Sequence, residues 1–117
     1  MTTFNFVNCT PHPITLFAAN GSEVVFPRSG MIVRVEQTRE HVIDLITDAG
    51  HPVQISQSFF GSVTGLPEPI PDTYLIVSNK VAQTLKAIGR ASDILVVDDT
   101  VRDDEGHIIG CRGFARV

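Results

Sequence analysis

The sequence predicts an α+β domain that is predominantly β, with short antiparallel or mixed strands in a small sheet or barrel and one main helix at about 79–88. Three observations carry this expectation. Apolar and polar residues alternate in short runs, and turn-forming dipeptides and prolines punctuate those runs. Only the stretch after Ser78 switches convincingly to helical spacing.

Phe4, Phe6 and Asn8 alternate with Asn5 and Val7, predicting a first strand that stops at Thr10-Pro11-His12-Pro13. Two prolines there remove backbone donors and force an extended or turning path. Ile14 to Ala18 predicts a second strand, and Asn20-Gly21 supplies the positive φ angles of a type I′ turn. Glu23 to Phe26 is then the returning strand, and Met31 to Glu36 the next one beyond Pro27 and Gly30. Arg39 to Thr47 fits either a helical face or a strand. The Asp48-Ala49-Gly50 turn and the clean alternation of Val53 to Ser56 favour a hairpin, with Phe59 to Thr64 as a further strand.

Leu66 to Asp72 holds three prolines and predicts a stiff extended crossing. Thr73 to Val77 is nearly continuous in apolar residues, as in a strand buried on both faces. Ser78 is a good N-cap. From Asn79 to Ile88, the residues Val81, Ala82, Leu85 and Ile88 share one helical face, and Gly89 is placed as a C′ residue. Ile94 to Val97, the turn Asp103-Asp104-Glu105-Gly106, and the strands His107 to Cys111 and Gly113 to Val117 complete the sheet.

The 117 residues predict one domain over 1–117, large enough to bury a core without disulfides. A hydrophobic fraction of 43%, a charged fraction of 19% and a net charge of −4 describe an ordinary globular chain. That balance predicts no nucleic-acid polymer as a partner and no acidic membrane surface. The opening MTTFNFVNCT has neither a basic region nor a long apolar run, so a cytoplasmic location is expected. Cys9 and Cys111 make no metal-binding pair, and a reduced, packed state is expected of both. Seven Phe and Tyr74 suit a core better than a base-stacking platform.

The best candidate site is the junction Val77-Ser78-Asn79, where a buried strand runs into a capped helix. Free first-turn amides and the helix dipole favour anions there, although every helix needs a cap. Arg90, Arg102 and Arg112 are candidate counter-charges, since guanidinium forks suit phosphate. His12, clamped between two prolines, and Tyr74 are candidates to lie against a base or ribose. No metal site, cofactor or catalytic residue is predicted: the histidines lack metal-ligand spacing, and the acidic run from Asp93 to Glu105 matches a hairpin loop.

The segments Thr10-Pro11-His12-Pro13-Ile14, Gly65-Leu66-Pro67, Tyr74-Leu75-Ile76-Val77-Ser78, Arg90 and Asp104-Glu105-Gly106 resemble a group of small uncharacterised phage, prophage and bacterial proteins, actinobacterial ones included. The resemblance implies a stand-alone phage or prophage accessory product. By analogy with small phage proteins that inhibit host defence, it suggests an oligomeric sponge for nucleotide signals. Three readings follow. The first is a homo-oligomeric protein that captures a nucleotide-like anionic small molecule. The second is an accessory that binds a host or virion protein and has no pocket. The third, ranked last, is a metal-dependent nucleotide hydrolase using Asp98 and Asp99.

Overall fold

The computed structural model describes residues 3–117. It contains β1 (Asn5–Asn8), β2 (Ile14–Phe17), β3 (Glu23–Phe26), β4 (Arg34–Ile46), β5 (Pro52–Thr64), β6 (Thr73–Ile76), α1 (Asn79–Ala87), β7 (Ile94–Arg102) and β8 (Ile108–Ala115). The chain is therefore mostly β with one short helix, as the alternation predicted.

Six strands form one sheet in the order β1-β6-β7-β8-β2-β3. β1, β6 and β7 are parallel neighbours, with α1 as the crossover between β6 and β7. The β7–β8 and β2–β3 pairs are antiparallel, and a single parallel bridge, Leu16 to Cys111, joins β8 to β2. That join is close because Gly110 has no side chain: a Cβ there would lie 2.6 Å from the Phe17 ring and 2.7 Å from the Thr15 carbonyl oxygen. The sheet curls until its outer strands meet. Asn8 Nδ2 donates to the Phe26 carbonyl at 3.0 Å, and the Phe6 and Phe26 rings touch edge to face.

The register gives the central strands two distinct faces, because side chains alternate along a strand. Val7, Leu75, Val77, Ile94 and Val96 face α1, whose Val81, Ala82 and Leu85 are buried against them with Cys9 and Val33. Burying Val81 and Leu85 contributes about 2 kcal/mol each. Ile76 and Leu95 lie on the other face and are buried too, so the strand is enclosed on both sides from Leu75 to Val77.

Ser78 caps α1 by accepting from the Val81 amide, and the helix ends at Ile88 with Gly89 at φ 82°. Ile88 departs from expectation. The cap turns it out of the helical face, and it is 68% exposed. The phenylalanines depart further. All the fully buried apolar residues are aliphatic or cysteine, while Phe4, Tyr74, Phe6, Phe114 and Phe26 form a half-exposed chain of ring contacts outside the core. Arg116 lies over Tyr74 within this chain, donating to its hydroxyl at 2.9 Å.

Among the described residues the remaining strands, β4 and β5, pair only with each other. Where four short strands were expected, the hairpin is continuous, and Met31 to Val33 lies outside it because the Val33 amide bonds to the Cys9 carbonyl. Two register shifts, at Val35/Gln37 and His41/Ile43, break the period-two pattern and explain why the sequence looked segmented. Val35 and Val63 tie the base of the hairpin to the core, and Lys80 Nζ bonds Gln37 Oε1 at 3.1 Å. Beyond this base the hairpin projects as an arm roughly 30 Å long. The radius of gyration is accordingly 18.4 Å, against about 13 Å for a compact domain of this length. Pairing places Thr38, Phe59, Glu40, Gln57, Ile43, Ile55, Leu45 and Val53 on one face of the arm, and Arg39, Ser58, His41, Ser56, Asp44, Gln54 and Ile46 on the other.

Candidate functional site

The site is assembled around Asn8, which is 2% exposed at the end of β1. Its side-chain amide donates to the His12 carbonyl at 2.8 Å and to the Phe26 carbonyl at 3.0 Å. Its Oδ1 accepts from the Thr10 amide at 3.0 Å and the Thr10 hydroxyl at 2.6 Å. The whole hydrogen-bonding capacity of the buried side chain is thereby used. Pro11 and Pro13 offer no amide hydrogens, so the Asn8 side chain supplies contacts that a regular strand would make through its backbone. The result is a fixed loop that presents the exposed His12.

That loop forms one wall of an open cleft of about 700 Å³, a size suited to a small ligand. The second wall is Val77, Ser78 and Asn79, where β6 passes into α1. Val96, Val97, Asp98 and Thr100 of β7 and Ile108 to Cys111 of β8 complete the lining. The cleft lies beyond the carboxyl end of the parallel strand β6, which is where open parallel sheets place ligands. Apolar wall alternates with hydrogen-bonding groups: the Thr10, Thr15, Ser78 and Thr100 hydroxyls, the Asn79 amide and the His12 imidazole.

Three of the seven candidate residues, His12, Ser78 and Asn79, therefore meet in one cleft although they come from chain segments far apart. The other four are elsewhere. Tyr74 belongs to the aromatic chain beneath Arg116. Arg90 is half-buried, donating to Asp93 at 2.8 Å and to the Pro67 carbonyl at 3.2 Å, so it fastens the proline-rich crossing to the loop before β7. Arg102 donates to the Gly106 carbonyl at 2.7 Å and closes its own hairpin. Arg112 faces Asp99 at 3.4 Å on the surface.

The cleft's charged lining residue is Asp98, and no Lys or Arg lines it. Asp98 and Asp99 diverge, one toward the cleft and the other toward Arg112. Asp99 takes a φ of 52° inside β7, a left-handed conformation that Asp tolerates better than most residues. Among the described residues, no group of three or more His, Cys, Asp or Glu is placed to hold a metal ion.

Cys111 reaches the cleft floor, and both cysteines are free and buried. Burial pushes the Cys9 thiol above its ordinary pKa, against the lowering effect of a hydrogen bond with Ser29. Burial raises that of Cys111 as well, opposed by backbone hydrogen bonds from Gly113 and Asp98. Both thiols are thus protonated at neutral pH and poor nucleophiles.

Sequence reasoning missed Asn8 as a site residue and offered Asp98 only in the reading ranked last, as a metal-binding carboxylate. The signal available for Asn8 was an amide side chain at an inward position directly before a donor-poor proline loop. Among the described residues, no helix is long and apolar enough to cross a membrane. The chain matches no protein-family model, no curated protein and no solved structure.

Proposed function

We propose that the protein is a small-ligand-binding accessory whose cleft takes a nucleotide-type molecule bearing a single phosphate. The observation that carries this reading is the convergence of His12, Ser78 and Asn79 on one cleft at the start of α1. The phosphate lies at the first turn, where the helix dipole and the Ser78 hydroxyl favour an anion. The base packs between His12 and the apolar wall, and Asp98 accepts from a sugar hydroxyl or an exocyclic amine. One helix end without a lining cation suits one phosphate better than a polyphosphate chain, whose added charges would meet Asp98. Sequestration of a nucleotide signal in a host cytoplasm, by a phage-encoded chain, is the role this chemistry fits.

Calorimetric titration with nucleoside 5′-monophosphates, cyclic nucleotides and nucleoside triphosphates tests the assignment. A monophosphate or cyclic species is expected to bind, and His12→Ala or Ser78→Ala to weaken it roughly tenfold, about 1.4 kcal/mol. Equal binding by folded His12→Ala and Ser78→Ala proteins would sink the site. Arg90→Ala is expected to lower stability and leave affinity unchanged, because Arg90 is committed to Asp93 and Pro67.

A second reading, an accessory that binds protein, is favoured by one specific observation: the arm carries an uncovered apolar face.

A further inference from the structure

Asn20 and Gly21 form the exposed tip of the β2–β3 hairpin, at one edge of the six-stranded sheet. Of the four asparagines in the chain, Asn20 is the one followed by glycine. Asn5, Asn8 and Asn79 precede Phe6, Cys9 and Lys80, whose side chains shield the next backbone nitrogen, and the Asn8 side chain is also held by four hydrogen bonds. Gly21 takes a φ of 86°, with open space where a side chain would stand, so its nitrogen has no such shield. The Ser22 amide donates to Asn20 Oδ1 at 3.0 Å. A backbone N–H aimed at a carbonyl oxygen stabilises negative charge that develops there.

We propose that Asn20 is a site of spontaneous deamidation, which converts it to aspartate and isoaspartate in the folded protein. The Gly21 amide gives its proton to hydroxide, and its electron pair forms a bond to Cγ of Asn20. Charge collects on Oδ1, beneath the Ser22 amide. The Cγ–Nδ2 bond then breaks, and Nδ2 takes a proton from water and leaves as ammonia, closing a succinimide ring. Water opens the ring at either carbonyl. Attack at Cγ leaves aspartate, and attack at the main-chain carbon leaves isoaspartate, with Cβ and Cγ now in the backbone. Water enters, ammonia leaves, and nothing is oxidised or reduced. The Gly21 amide is bonded to the Ala18 carbonyl at 3.0 Å, so the reaction passes through a local opening of the turn, which exposed tips undergo at low cost. The ring abolishes that donor, and isoaspartate lengthens the chain between Ala18 and Ser22, whose 2.8 Å bond closes the hairpin. Behind the turn, β2 supplies Ile14 and Thr15 to the cleft and Leu16 to the bridge with Cys111, so the modification loosens one cleft wall. The chemistry does not rest on the ligand reading.

Peptide mapping by mass spectrometry tests it, on the full folded chain aged in heavy-oxygen water at neutral and mildly alkaline pH. The peptide holding Asn20 is expected to gain the mass of an amide-to-acid exchange with a heavy oxygen, and to resolve into aspartate and isoaspartate isomers. Conversion is expected to quicken as pH rises, because the attacking nitrogen must lose its proton. Fragment ions are expected to place the change at Asn20 and to leave Asn5, Asn8 and Asn79 intact. Gly21→Val is expected to lose the conversion, since a branched side chain crowds that nitrogen. The isotope label in the wild type does not depend on how well this variant folds. A free peptide spanning residues 17–23 gives the reference rate. Folded protein whose Asn20 stays intact while that peptide converts completely overturns the proposal. So does conversion of Asn5, Asn8 or Asn79 at the rate of Asn20, or wild-type conversion in folded Gly21→Val protein.

Discussion

Asn8 is the residue on which the site depends most. It is buried, makes bonds with both its amide and its carbonyl oxygen, and joins the proline loop to the edge of β3. Asn8→Ala removes four hydrogen bonds that hold the loop, and a part-buried polar group left with fewer partners is costly. A loss of about 2–4 kcal/mol in urea unfolding is expected, together with weakened ligand binding as His12 loses its fixed position. The buried thiols set a second expectation at this scale. A thiol whose pKa is raised on folding contributes stability below its unfolded value, about 8.5, and that stability is lost as pH climbs through the raised value. Unfolding midpoints are therefore expected to fall above about pH 9, and Cys9→Ala to flatten the decline despite its own loss of packing. A midpoint independent of pH across that window would contradict the burial assigned to Cys9 and Cys111.

Elements were legible where the determinants are local. The Asn20-Gly21 turn forms with the Ala18 amide bonded to the Ser22 carbonyl. It is not the type I′ turn expected, because Gly21 takes a φ of 86° while Asn20 does not enter the left-handed region. Ser78 and Gly89 bound the helix as their chemistry dictates. The arm was legible only in fragments, because the shifts near Glu36 and Val42 interrupt an alternation that pairing with β5 restores. Ile88 was misplaced since a helical wheel carries no information about where the last turn unwinds. At this scale Gly65 is a sharp test. Its φ is 82°, and a Cβ would collide with the Ile32 carbonyl oxygen at the base of the arm. Gly65→Ala is expected to cost about 2 kcal/mol or more and to loosen the arm's attachment, seen as faster amide exchange in residues 34–37 and 61–64. Ser78→Ala removes one cap bond and is expected to cost about 1 kcal/mol, which leaves a folded protein for binding studies.

Across the whole molecule, the site was half legible. The Ser78-Asn79 helix start and the proline-clamped His12 each stood out by local chemistry, but their meeting is a product of sheet order, with β1 beside β6. The arginines were misleading for the same reason. Arg90, Arg102 and Arg112 are near the candidate helix or hairpin in sequence, yet each has a carboxylate or carbonyl partner of its own. The aromatic residues formed an outer band instead of the core because the short central strands are filled by aliphatic side chains. What emerges is a curled six-stranded body with a cleft at one helix end and an apolar arm at its side.

Native mass spectrometry of protein purified gently from cells, followed by heat release of anything bound, tests the central claim most directly. A released small molecule carrying one phosphate is expected, absent from His12→Ala/Ser78→Ala protein that is still folded. Protein that is empty from cells and stays empty with mono- and cyclic nucleotides, while retaining its fold, would contradict it.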